Sequence, residues 1–184
     1  MKILKSFLLI IISLTFSNQV FSEDKILESL KEGGKIIFIR HAYAPGGGDP
    51  ENFNIYDCST QRNLSESGRI QSRKIGNFFK ENKIKIENVY SSEWCRCKET
   101  ASLAFENFKT KSFLNSFFSS KFAQNKNSQM KDFQKFLLDW DEKTNLIFVT
   151  HYVVIGSYTN IFPVSGGIVV HDLNSQVNNE LKLF

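Results

Sequence analysis

The stretch that most limits what this chain can fold into is Lys35-Ile36-Ile37-Phe38-Ile39-Arg40-His41. Its unbroken apolar run, rich in β-branched isoleucine, fits a short strand buried on both faces, as in a parallel sheet covered by helices. The run ends abruptly on an arginine and a histidine, and Ala44-Pro45-Gly46-Gly47-Gly48-Asp49-Pro50 follows at once. The chain therefore leaves the sheet as a loop, at the end where open α/β sheets bind ligands. The same device recurs at Asn145-Leu146-Ile147-Phe148-Val149-Thr150-His151, a second apolar strand ending on a histidine.

Helical patterns separate these strands. Asp24 to Lys31 places Ile26, Leu27 and Leu30 on one side, with Gly33-Gly34 closing the helix. Ser65 is a suitable N-cap for a helix reaching about Glu81, with Ile70, Ile75, Phe78 and Phe79 as its buried side. Glu93 to Phe108 forms the next helix, its first turn carrying Cys95, Arg96 and Cys97, and a short strand at Val89 to Ser91 precedes it. Ser112 to Phe118 reads as extended and aromatic, and Ser119 to Asn127 as a polar loop. Met130, Phe133, Phe136, Leu137 and Trp140 recur at steps of three and four, which predicts a helix packed on a core. Tyr152 to Thr159 continues as a helix, and strands are expected at Gly167 to Asp172 and Glu180 to Leu183.

Strands alternating with helices imply βαβ units. The expected fold is α/β, a three-layer α/β/α sandwich with a mainly parallel central sheet. No internal repeat, linker or low-complexity run interrupts residues 23–184, which read as one domain. Residues 1–22 read as a signal peptide: Lys2 and Lys5 precede an apolar run from Phe7 to Phe16, and Val20-Phe21-Ser22 suits a cleavage site. The alternative is retention of that run as an anchor; cleavage predicts an exported, periplasmic protein without stable membrane insertion. Its removal leaves 21 basic against 19 acidic side chains, a net charge of +2, too small and too dispersed to suggest a nucleic-acid partner.

Export makes a disulfide plausible among Cys58, Cys95 and Cys97. Cys95 and Cys97 are too close to pair comfortably with each other, so Cys58 is expected to pair with one of them; the sequence does not choose. The Cys-x-Cys spacing has no second Cys or His pair at finger-like distance, so no zinc site and no cofactor are expected.

Strand-end geometry should bring Arg40-His41, Ser91-Ser92 with Arg96, and Thr150-His151 to one crevice. Two guanidinium forks pair bidentately with phosphate oxygens and keep their charge, while a neutral imidazole is a competent nucleophile toward phosphorus. Such a site transfers a phosphoryl group through phosphohistidine with arginines balancing the charge. His171 lies inside a late strand with no basic neighbour and reads as structural.

The segments "IRHA", "QRNLSESG", "VYSSEWCRCKETA" and "FVTHY" together resemble the histidine phosphatase (phosphoglycerate mutase-like) superfamily, in the same order and across roughly Lys35 to Phe184. The resemblance implies that His41 is the phosphorylated nucleophile, that Arg40 and Arg96 clamp the phosphoryl oxygens, and that His151 stabilises the transferring group. It places Arg62 and Asn63 at the pocket edge. Ala42 stands where the family has glycine, and Cys97 where it has alanine after the clamp arginine. A glutamate that serves mutase-type members as general acid aligns with Ser116, which cannot do that work. Asp49 is then the candidate acid, with Glu93 as the alternative.

The expected activity is metal-independent hydrolysis of a small phosphomonoester. Two rivals remain: a catalytically weak module that binds phosphate without turnover, and a phosphatase acting on phosphohistidine in proteins, where the imidazole leaving group needs less acid help.

Overall fold

The computed structural model describes residues 23–183, so the expected signal peptide lies outside the described residues. Strand β1 (Lys35–Arg40) runs through the middle of the protein because its apolar side chains have cover on both faces. Ile36, Ile37, Phe38 and Ile39 are fully buried. Ile37 and Ile39 face one cluster with Ile75 and Phe79, whereas Ile36 and Phe38 face the other with Phe133 and Phe148. Phe38 meets the rings of Phe133, Phe148 and Tyr158 at centroid distances of 5.7, 5.8 and 5.3 Å. Burying each such side chain contributes roughly 1.5–3 kcal/mol, enough to hold the strand end and the residues beyond it.

The other elements are α1 (Glu23–Glu32), α2 (Glu66–Glu81), β2 (Ile86–Ser91), α3 (Cys95–Phe105), β3 (Lys109–Thr110), α4 (Lys126–Leu137), β4 (Asn145–Thr150), α5 (Tyr152–Thr159), β5 (Ile168–Asp172) and β6 (Val177–Leu181). They build a six-stranded sheet in the order β3-β2-β4-β1-β5-β6, covered by helices. Strands β3, β2, β4 and β1 pair in parallel, and β5 runs antiparallel to both β1 and β6. The mainly parallel α/β sheet expected from the sequence is thus present, with an antiparallel edge added by the C-terminal hairpin.

Helix α2 starts where Ser65 Oγ accepts from the Gly68 N–H at 3.1 Å. A Cβ on Gly68 would lie 2.1 Å from the Tyr43 carbonyl oxygen, so only glycine lets the loop after β1 cross this first turn. One expectation fails here. Ile70 is 48% exposed, because the buried side of α2 runs through Gly68, Ser72, Ile75 and Phe79, and a residue two positions from Gly68 faces the opposite way. Similarly, α4 ends at Leu137, short of Trp140, and buries Gln129 rather than Met130. The segment expected to be extended from Ser112 is a 3₁₀ turn, Ser112–Leu114, following the short β3.

Cys58 pairs with Cys95, and Cys97 is a buried free thiol. The bond ties the 3₁₀ turn Cys58–Thr60 to the first residue of α3 across a sequence separation of 37. Closing a loop of that length stabilises by about 4 kcal/mol in the chain-entropy account. Replacing Cys58 and Cys95 together by serine is expected to lower the unfolding free energy by a few kcal/mol, read from urea denaturation. An unchanged midpoint would show that the loop is held by other contacts.

Candidate active site

Register brings the chemistry together. On the parallel pair, Arg40 is opposite Thr150, so His41 and His151 follow side by side and their rings stand 5.5 Å apart. On the other side of β4, Ser91 is opposite Val149, and the Ser92 N–H donates to the Val149 carbonyl at 2.9 Å. Helix α3 begins three residues later and brings Arg96 in its first turn. The result is a cavity of about 360 Å³ whose lining includes Arg40, His41, Arg62, Arg96 and His151.

His41 is 2% exposed. Its Nδ1 lies 2.8 Å from the carbonyl oxygen of Ala42. A carbonyl only accepts, so the ring proton belongs on Nδ1, and Nε2 keeps its lone pair. Burial first, and the Arg96 charge next, hold His41 well below the usual histidine range. Burial and the same arginine do so for His151. Both rings are therefore neutral near pH 7.

Such groups carry a pH signature. A histidine whose folded-state pKa is depressed adds stability above its unfolded value of about 6.5, and that stability is lost as pH falls toward the folded value. Urea midpoints are therefore expected to drop between pH 7 and pH 5, and less steeply for a His41→Gln variant. Equal slopes for the two proteins would contradict the buried neutral state.

The guanidinium groups differ in how they are held. Arg40 donates from Nη1 to the Pro163 carbonyl at 2.9 Å and stacks over Tyr152 at 4.9 Å, while its buried Nε has no hydrogen-bond partner among the described residues. Arg62 donates to the carbonyls of Ala44, Gly46 and Gly48, which pins the glycine-rich loop. Arg96 lays its fork on Asp49, with Nη1 to Oδ1 at 2.7 Å and Nη2 to Oδ2 at 3.1 Å, and its buried Nε likewise has no hydrogen-bond partner among the described residues.

Asp49 therefore lines the cleft in an unexpected state. Beyond Arg96 it accepts from Trp94 Nε1 at 3.0 Å and from the Arg62 N–H at 3.0 Å. Burial pushes its pKa up, but the hydrogen bonds and charge of Arg96, helped by Arg62 and Trp94, outweigh it and hold the carboxyl below its usual value. A carboxylate kept ionised opposes the proton-donor role expected for it. It works instead as an internal anion on the arginine fork.

Asn63 corrects a second expectation: its amide donates to the Cys58 and Gln61 carbonyls, bracing the disulfide turn, and it does not line the cavity. Glu93 is likewise outside the lining, its Oε2 accepting from Asn115 at 2.6 Å. Ser116 does line the cavity. His171 lies on β5 opposite Ile36, bonded to Asn178 at 2.7 Å and far from this strand end. Ser92 stands at the strand end where the sequence places it, whereas Trp94 and Asn115 are not legible as site residues, because nothing in their spacing separates them from ordinary core and turn residues. Among the described residues no cluster of three or more His, Cys, Asp or Glu side chains is arranged to hold a metal ion. No described helix is long and apolar enough to cross a membrane.

Residues 36–116 match the sequence profile of the histidine phosphatase superfamily, branch 1. That match spans Arg40-His41 and Arg96 and ends at Ser116. No curated protein matches the chain. Among solved structures, the product of open reading frame Rv3214 from Mycobacterium tuberculosis is similar with a TM-score of 0.58 at 14% identity, covering 81% of this chain and 96% of that one. TTHB049 from Thermus thermophilus gives 0.57 at 14% identity, with 81% and 99% covered. The protein histidine phosphatase SixA, solved with tungstate, gives 0.53 at 15% identity, with 80% and 94% covered. At these identities the likeness is one of fold.

Proposed function

We propose that the protein is an exported, metal-independent phosphomonoester hydrolase that works through a phosphohistidine on His41. The observation that carries this reading is a buried, neutral His41 whose Nδ1 is held by the Ala42 carbonyl, whose Nε2 makes no hydrogen bond among the described residues, and whose cleft is lined by guanidinium groups. Nε2 attacks phosphorus, the ester P–O bond breaks, and Arg40 and Arg96 neutralise the phosphoryl oxygens as charge develops. Water then attacks the phosphohistidine, releasing phosphate and restoring the imidazole. The Cys58–Cys95 disulfide supports export to an oxidising compartment such as the periplasm.

The test is to trap the intermediate. Rapid acid-free quenching during p-nitrophenyl phosphate turnover should leave an acid-labile phosphate on the peptide carrying His41. Turnover without any phosphorylated His41 would overturn the mechanism.

A second reading is hydrolysis of phosphohistidine in a protein substrate. It is favoured by Ser116 at the position where mutase-type relatives carry their acid, and by the ionised state of Asp49. SixA, named as a protein histidine phosphatase, shares the fold. Faster turnover of phosphohistidine peptides than of sugar phosphates would select it.

A further inference from the structure

The Nε2 edge of His151 is tied into a chain of neutral side chains ending on a carboxylate. Glu93 donates its backbone N–H to Asn115 Oδ1 at 2.9 Å, and Asn115 Nδ2 donates to Glu93 Oε2 at 2.6 Å. A backbone N–H only donates and a carboxylate only accepts, so this reciprocal pair settles which way the Asn115 amide points. Oδ1 is then an acceptor 3.0 Å from Ser92 Oγ, and it takes the one hydroxyl proton that Ser92 has. Ser92 Oγ is left to accept, from the Trp94 N–H at 3.3 Å and from His151 Nε2 at 3.1 Å. The proton of neutral His151 must therefore sit on Nε2. Cys97 Sγ, 3.5 Å from the same nitrogen, is a second, softer contact, and burial pushes this thiol up to about 12. Nδ1 makes no hydrogen bond among the described residues, although His151 lines the cleft.

We infer that Glu93 and Asn115 are positioning residues that act through Ser92 to hold His151 as the Nε2–H tautomer, leaving Nδ1 as the proton site for the leaving oxygen. The inference rests on the hydrolase reading and supplies the donor that Ser116 and Asp49 do not. A monoester entering as its monoanion brings the proton, which passes to Nδ1. His41 Nε2 forms the P–N bond, the ester P–O bond breaks with its electron pair on oxygen, and that oxygen takes the Nδ1 proton and leaves as an alcohol. In the second step water gives a proton to Nδ1 as it attacks, the P–N electron pair returns to His41, and the Nδ1 proton leaves with the released phosphate, which departs as its monoanion and restores neutral His151. Glu93 at the far end of the chain offsets the transient imidazolium charge.

The experiment has two readouts on the full chain. Nitrogen-15 imidazole spectra should show His151 protonated on Nε2 in the parent protein and a mixture of tautomers in Asn115→Leu. General-acid help is worth about 10²- to 10⁴-fold, and only for poor leaving groups. Asn115→Leu should therefore slow glycerol phosphate hydrolysis at least about 10-fold more than p-nitrophenyl phosphate hydrolysis. A parent His151 protonated on Nδ1, or equal losses on both esters, overturns the inference. Should Asn115→Leu not fold, Glu93→Gln is read in the same two ways. If the parent turns over neither ester, the hydrolase reading fails, while the spectra still decide the tautomer.

Discussion

A His41→Ala variant is expected to lose phosphomonoester turnover by at least about 10³-fold while remaining folded, because removing a nucleophile removes the covalent route altogether. The fold survives for a physical reason. His41 is neutral, so its deletion strands no charge, and the broken contact to the Ala42 carbonyl costs only about 1–3 kcal/mol. Circular dichroism and p-nitrophenyl phosphate kinetics on the same preparation separate the two effects. Parent-like rates from a folded variant would remove His41 from the chemistry and leave the phosphate-binding module as the better description.

Asp49→Asn is expected to produce two effects of opposite sign. The Asp49–Arg96 pair is largely sealed, with side-chain exposures of 15% and 4%. Breaking a buried pair on one side costs about 3–5 kcal/mol, since the amide of asparagine would face the arginine's donors and the guanidinium would lose its counter-charge. The fork that Asp49 leaves is then free for an oxyanion. Added vanadate should raise the melting temperature of Asp49→Asn by more than it raises that of the parent, in which the ligand has to displace or share an internal carboxylate. Equal vanadate shifts in the two proteins would mean that the Arg96 fork does not meet the phosphoryl group.

The readable parts of the sequence were those governed by local rules. The apolar runs at Ile36–Ile39 and Leu146–Val149 are strands because nothing in them tolerates water, and Ser65 caps α2 by a short-range hydrogen bond. The motifs around Arg40-His41, Arg96 and His151 were visible for a related reason: each sits at a strand or helix end, where composition changes abruptly. Ile70 is exposed, against the expectation from its apolar side chain, because the helix period leaves it facing away from Ile75, five residues on. Asn63, which the family resemblance puts at the pocket edge with Arg62, points elsewhere, because neighbours on an irregular turn need not point the same way.

The sequence by itself determined the sheet's central strands, the α/β class and the cationic character of their shared end. It narrowed the disulfide to Cys58 with one of two cysteines, and only the folded chain selects Cys95, by placing the first turn of α3 against the 3₁₀ turn at Cys58. Tertiary structure alone decided that Asp49 lies on Arg96 rather than free over the cleft, and that Glu93, Asn115 and Ser92 run in line to His151. These contacts join residues tens of positions apart, through hydrogen bonds whose direction depends on which atom gives and which accepts. No local pattern encodes that, because it is a property of where the backbone has already been put.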